Sequence, residues 1–363
     1  MPAKLTLRSI DVRAVSVPLR RPVVSKVGMF KEWPLLLIDL YTHEGVVGRS
    51  YLEPYLKNAA RYVMPALLDL AEAQQNRLLA PLERFQANRR SLNLVGYEGI
   101  AMIAVAGLDM AMWDALAKAA GQPLAALLGG TIGPVPAYNS NGLGIIGAER
   151  APQEARELLA PGFNAIKVRL GYPDAATDLA VARAVRSAIG ADAVLMSDFN
   201  QGLSVAEAAH RAQLLEAEGL LWLEEPVAAD DARGHAELRS KSRIAIQTGE
   251  NWWGPRPMAE FLAQRACDYA MPDAMKIGGV SGWLRAAALA DSAGVPMSSH
   301  LYPEISAHLL SITPTRHWLE YVDWAEPVLR DGVRFADGRA LAIDQPGSGI
   351  AWNEDAVAKF QMK

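Results

Sequence analysis

Three carboxylates stand at equal intervals behind short apolar runs. Asp198 closes Val194-Leu195-Met196-Ser197, Glu224 closes Leu221-Trp222-Leu223, and Glu250 follows Ile244-Ala245-Ile246-Gln247-Thr248-Gly249. Both intervals, 198 to 224 and 224 to 250, are 26 residues, the length of one strand, one helix and two loops. If each acid ends its strand at the matching position, successive parallel strands bring all three to one point. Three anions in one place need a cation, and hard oxygen ligands suit Mg2+. Glu225 competes with Glu224 for the role, but strand alternation turns it to the opposite face.

A second set of residues has the types needed to move a proton. Lys167 and Arg169 flank Val168 on one run and therefore point the same way. Asp273 ends Tyr269-Ala270-Met271-Pro272-Asp273, and His300 ends Met297-Ser298-Ser299-His300. Adjacent strands would join them as a carboxylate–histidine dyad, the acid fixing the tautomer of the ring and raising its basicity. Glu320 ends Trp318-Leu319-Glu320 and could donate to a substrate carboxylate only if protonated; otherwise it acts on a neighbouring lysine or water. His43, His210, His235, His308 and His317 lack such a setting and read as structural. Together these groups suit removal of a proton from carbon next to a carboxylate. Such a C–H is too weak an acid for a side-chain base alone, so a divalent ion and donors aimed at the enolate oxygens are required.

The elements that must position these residues follow from periodicity. Candidate strands at 135–140, 165–170, 194–200, 220–225, 244–250, 269–273, 295–300 and 318–320 alternate with helical stretches such as 152–160, 174–189, 205–218 and 281–293. Eight strands at this spacing predict an α/β fold, a (β/α) barrel over residues 131–321 with its site at the C-terminal strand ends. Residues 1–130 read as antiparallel strands followed by helices, and 322–363 as a tail packing back on them. Arg21 to Trp33 reads as a loop rich in apolar residues, Val23, Val27, Met29, Phe30 and Trp33 among them; such loops cover something or pack on their own sheet. Asp109 and Asp114 lie on a small, apolar helical stretch, 99–120, and read as structural.

Bulk properties narrow the class. The chain has 363 residues, is 51% hydrophobic and carries a net charge of −4, which favours a large core and gives no case for nucleic acid or an anionic membrane. Cys267 is the sole cysteine, so no intrachain disulfide forms and a reducing cytoplasm is the expected location. No signal-peptide pattern and no apolar run of membrane-spanning length is expected.

The motifs Ala165-Ile166-Lys167-Val168-Arg169, Asp198-Phe199-Asn200-Gln201, Trp222-Leu223-Glu224-Glu225-Pro226, Gly249-Glu250-Asn251-Trp252, Met271 to Val280 and Met297-Ser298-Ser299-His300-Leu301 resemble the enolase superfamily, within it the mandelate racemase subgroup. The resemblance covers nearly the whole chain. It implies a (β/α)7β TIM-type barrel with an N-terminal α+β capping domain, the loop near residue 20 serving as lid. It implies Mg2+ on Asp198, Glu224 and Glu250, Lys167 against the substrate carboxylate, Asp273 and His300 as base, and Glu320 as electrophilic acid. Ser140 and Asn200 match substrate-touching positions, and a symmetric homo-oligomer is expected by the same analogy.

One departure bears on function. The subgroup carries Lys-x-Lys, the second lysine being the base for the other enantiomer, where this chain has Lys167-Val168-Arg169. Neutralising an arginine with a pKa of about 12.5 costs roughly 7 kcal/mol at pH 7, so proton exchange should be fast through His300 and slow through Arg169. The favoured reading is racemisation of an aromatic or apolar α-hydroxy carboxylate, since Val23, Phe30, Trp33 and Tyr55 would line an apolar lid. An acid-sugar dehydratase, which needs one good base and a general acid, is the alternative. A metal-binding homologue without turnover is opposed by the intact Asp273–His300 pair.

Overall fold

In the computed structural model, which describes residues 4–362, the first three strands, β1 (Leu7–Ser25), β2 (Gly28–Thr42) and β3 (Val47–Leu52), form an antiparallel sheet. Two helices pack on it, α1 (Ala60–Glu72) and α3 (Ile100–Ala119), and α2 (Pro81–Ser91) packs on α3. α3 lies directly on the sheet because the contact positions are small. A Cβ on Gly48 would sit 2.1 Å from the Ala111 carbonyl oxygen. The sequence reading expects no membrane-length apolar run, yet α3 is long and apolar enough to cross a bilayer; 78% of that window is buried inside the protein. Asp109 and Asp114 interrupt it, and each satisfies backbone donors: Asp109 accepts from Ser281 N–H, Asp114 from Arg49 and Ser348 N–H.

The segment expected to be a loop, Arg21 to Trp33, is the distal half of a long β-hairpin. β1 and β2 stay paired to the turn, with Val23 opposite Phe30 and Ser25 opposite Gly28, after a register shift between Pro18 and Val23. Two prolines, Pro18 and Pro22, break the alternation that would have revealed the strand.

Eight parallel strands follow: β4 (Val135–Asn139), β5 (Ala165–Arg169), β6 (Val194–Asp198), β7 (Leu220–Glu224), β8 (Ala245–Thr248), β9 (Tyr269–Ala270), β10 (Met297–Ser299) and β11 (Arg316–Tyr321). They are hydrogen-bonded in chain order, and β11 pairs with β4, closing the barrel. Seven α-helices connect successive strands, giving (β/α)7β. Outward residues such as Ile166, Val168 and Leu170 pack under the helices, while Tyr138, Ala165, Met196 and Trp222 fill the interior beneath the site.

After β11 the chain divides. A hairpin, β12 (Arg334–Ala336) and β13 (Arg339–Leu341), adds antiparallel to β4. The remainder returns to the N-terminal sheet, where Trp352 Nε1 donates to Asp39 at 3.0 Å and Met362 N–H donates to the Ala14 carbonyl.

Candidate active site

At the C-terminal end of the barrel, one carboxylate oxygen from each of Asp198, Glu224 and Glu250 lies within 4.8 Å of the others. Two of them arrive by register alone: Asp198 pairs with Glu224 across β6 and β7. Glu250 does not. Glu224 pairs with Gln247 on β8, so Glu250 stands three residues farther along, past the strand, and the expected matching position is corrected. Gly249 makes the difference: at φ +138 it turns the chain back, and a Cβ there would lie 2.8 Å from the Trp252 ring. Glu224 and not Glu225 joins the cluster, as expected, but strand alternation is not the reason. Glu225 is fully buried, its φ of 35° takes it out of strand geometry, and its carboxylate accepts from Asn251 Nδ2 at 2.8 Å.

Lys167 is the hub of the charged floor. Its ammonium reaches Glu224 at 2.5 Å, Glu320 at 2.9 Å and Asp198 at 3.3 Å, and these neighbours hold it protonated well above the ordinary lysine range although burial opposes them. Glu224 also accepts from Trp222 Nε1 at 3.0 Å. Burial and the nearby acids still push Glu224 up to about 8 against the pull of Lys167. The cluster thus carries more negative charge than its one lysine neutralises. All its free donors are hard carboxylate oxygens, and this donor set fits Mg2+.

Glu320 departs from the reading that gives it a proton to donate. It accepts from Lys167 and from Leu301 N–H at 3.0 Å. Burial would raise it, but Lys167 and His300 outweigh burial and hold it ionised, well below the usual carboxylate range. The donor in this pair is Lys167.

His300 Nδ1 lies 2.7 Å from Asp273 Oδ2. The same carboxylate, through Oδ1, accepts from the N–H groups of Met275 and Lys276 at 2.8 and 2.9 Å, so it cannot swing away. His300 Nε2 faces Glu250 at 3.3 Å and Glu320 at 3.8 Å. Burial disfavours the imidazolium, yet Glu250, Glu320 and Asp273 together raise His300 to about 10.

Across the barrel, Arg169 is buried and donates from Nη1 to the Gly142 carbonyl at 3.0 Å. Asn200 folds back on Asp198, its N–H and Nδ2 donating at 2.8 and 3.0 Å, while its Oδ1 is buried with no partner. The cavity above these groups has a volume of about 330 Å3. Val23, Phe30, Trp33 and Tyr55 line it as expected, and Trp253 and Trp324 join them. Trp33 Nε1 donates to Glu53 at 2.6 Å, anchoring the hairpin to the sheet. Ser140 is buried with an unpartnered hydroxyl but does not line the cavity. Its backbone N–H instead closes β4 onto Tyr321.

Sequence reasoning missed Asn251 and Lys276 as wall residues, with Ile103 from α3 and Trp324 from beyond β11. Lys276 sits in an irregular turn where periodicity says nothing about direction, and Ile103 and Trp324 arrive from segments distant in the chain.

Family models match over almost the entire chain: one for the N-terminal domain of mandelate racemase / muconate lactonizing enzyme at residues 8–129, one described as enolase C-terminal domain-like at residues 150–356. Among solved structures, an enolase from alpha proteobacterium bal199 with bound Mg is 48% identical, with a TM-score of 0.96 over 99% of this chain and 100% of that one. An enolase from Bradyrhizobium complexed with magnesium and mandelic acid is 43% identical, TM-score 0.96, over all of both chains. Among curated relatives, the L-talarate/galactarate dehydratase of Salmonella typhimurium is 34% identical over 267 residues, 72% of this chain; the match spans 66% of the dehydratase's length.

Proposed function

We propose, from the premise that this chain belongs to the mandelate racemase / muconate lactonizing enzyme family of the enolase superfamily, that it removes the α-proton of a 2-hydroxy carboxylate bearing an aromatic or apolar substituent, and that it works from one face. The carrying observation is the asymmetry of the two walls: an oriented imidazole, His300 on Asp273, faces a guanidinium, Arg169, already hydrogen-bonded to Gly142.

In this reading Asp198, Glu224 and Glu250 hold Mg2+, which when bound supplies Lewis-acid stabilisation for negative charge developing on the substrate's carboxylate. Lys167 donates to that carboxylate. Glu250 would have two functions, as ligand and as one of the acids that draw a proton onto His300; engaged as a ligand, it would weaken that attraction at Nε2. Asp273 keeps Nδ1–H directed at itself, so Nε2 is the nitrogen that meets the α-proton. Asn200 presents its free Oδ1 to a substrate hydroxyl, and the hairpin excludes water.

Turnover of a mandelate-type acid is then racemisation limited at the Arg169 face. The aromatic wall supports this reading, as does the complex of the 43%-identical Bradyrhizobium enolase with mandelic acid. Where the substrate carries a β-hydroxyl, the same enolate would expel it as water, the proton taken by His300 returning to the leaving oxygen, and the resulting enol would tautomerise to a 2-keto acid. The guanidinium of Arg169, which offers donors and no acceptor, favours that second outcome. The test incubates the Mg2+-loaded enzyme in heavy water with each enantiomer of mandelate and with 3-aryl-2,3-dihydroxy acids. Loss of the α-hydrogen signal, optical rotation and keto-acid formation are followed. One enantiomer should lose its α-hydrogen much faster than the other. Absence of exchange with every apolar 2-hydroxy acid, while sugar acids are turned over, would reject the substrate class.

A further inference from the structure

The mechanism above leaves one charged wall residue without a task. Lys276 lines the cavity and is only 5% exposed. No carboxylate lies within ion-pair distance of its ammonium among the described residues. Its one hydrogen bond there goes to Asn251 Oδ1 at 2.6 Å. It rests over the Tyr55 ring at 4.5 Å and beside Trp253 at 5.8 Å. An ammonium has three donors. One is used, the aromatic faces accept charge but not a directed hydrogen bond, and a buried donor left unmade is unfavourable.

The surroundings fix where the free donors can act. Asn251 cannot flip to take over, because its Nδ2 is committed to Glu225 and Glu250. The turn carrying Lys276 begins on Asp273, whose other oxygen holds His300. Lysine and imidazole are therefore set by one carboxylate. Lys276 follows β9, four strands from β5 around an eight-stranded ring, so it stands opposite Arg169 and on the same side as the base.

We propose that Lys276 is a specificity-determining residue that donates to an oxygen on the substrate's β-carbon, so that the preferred substrate is a 2,3-dihydroxy carboxylate with an apolar end. This rests on the reading of the site given above. A charge-assisted hydrogen bond in a dry pocket corresponds to a preference of about tenfold or more. The other neighbours of Lys276 are the Tyr55 and Trp253 rings and Asn251, whose Nδ2 is already committed to Glu225 and Glu250, a setting that suits a single hydroxyl and not a second carboxylate.

The experiment compares phenyllactate with the diastereomers of phenylglycerate, which differ from it by one β-hydroxyl. Binding to the Mg2+-loaded protein is measured by calorimetry, with His300→Asn present throughout to stop turnover. With Lys276 intact, one diastereomer should bind at least tenfold tighter than phenyllactate. With Lys276→Met the ratio should fall to within twofold while phenyllactate binding changes little, and Lys276→Arg should keep part of the preference. A residue that only braces the fold would weaken both ligands alike on replacement, and that result overturns the proposal. So does a ratio near one in the protein that retains Lys276, a measurement that stands even if Lys276→Met does not fold. Failure of phenyllactate itself to bind would reject the underlying substrate class together with the inference, whereas phenyllactate binding without any gain from the hydroxyl rejects the inference alone.

Discussion

The two walls of the cavity are built alike and differ in what they can do with a proton. On one side β5 presents Arg169; on the other His300 follows β10. Both side chains are buried and each is held by a hydrogen bond, Arg169 through Gly142 and His300 through Asp273. The guanidinium of Arg169 offers donors and no acceptor for a proton. His300 is tuned by acids that themselves have second partners. Position at a barrel mouth is therefore not enough to make a base. What distinguishes the walls is whether the local charges can be rearranged to set the proton free.

The sharpest way to break the comparison is to remove the competent wall. His300→Asn keeps a polar group of similar size but cannot accept the α-proton, and exchange of the reactive enantiomer should fall about a thousandfold or more. Proton NMR in heavy water measures it. Retention of exchange within tenfold would mean that the base is elsewhere.

Asp273→Asn is the next test. The ring would keep a neighbour but lose the charge that fixes its tautomer, and the turn to Lys276 would lose a carboxylate acceptor. A fall of about ten- to a hundredfold in kcat is expected, with KM for a 2-hydroxy acid changing less. An equal loss in the affinity of a non-reacting inhibitor would show a collapsed pocket instead.

These roles were unevenly legible in the sequence. Strand alternation was enough to place Lys167 and Arg169 on one face, because β5 is regular from end to end. Register was enough for Asp198 beside Glu224. Glu250 came out at the right point for an incomplete reason: equal spacing suggested a matching strand end, whereas the chain overshoots by three residues and Gly249 turns it back. The hairpin was hidden by prolines and a register shift, which erase a period of two without erasing the strand. The ionised state of Glu320 could not be read at all. It depends on Lys167, 153 positions away, and on burial of both. Lys276 was visible as a residue in a recognised motif but not as a wall, since an irregular turn has no periodicity from which to infer direction.

Arg169→Lys sharpens the comparison by making the walls equivalent in kind. A lysine in that carboxylate-rich site can exchange a proton more readily than a guanidinium, so exchange of the slow enantiomer should rise about tenfold while the fast one stays within a factor of three. The two initial rates, followed separately by deuterium incorporation, decide it. A parallel rise or fall of both would show that Arg169 acts on the fold of the 142–147 segment and not on the proton.

The smallest effect concerns a histidine buried without carboxylate contacts, a control for what surrounds His300. His308, on the helix Pro303–Ser311, is fully buried, and its Nδ1 accepts from Ala125 N–H at 3.4 Å. Burial lowers it to about 4, only partly offset by the Ser348 backbone and by Asp114. The same burial acts on His300, where Glu250 and Glu320 reverse it. Because the folded value of His308 lies below its unfolded one of about 6.5, the unfolded chain takes up the proton first. Stability should therefore decline as pH falls from about 6.5 toward 4, this residue accounting for up to roughly 3 kcal/mol. His317, also lowered to about 4 by burial, adds to the same slope. In His308→Gln the stability difference between pH 7 and pH 4.5, taken from urea unfolding, should shrink by about 2 kcal/mol while part of the slope remains. An unchanged difference would mean that His308 takes up its proton at the same pH folded and unfolded, and that burial without an acid in ion-pair contact does not separate these two histidines.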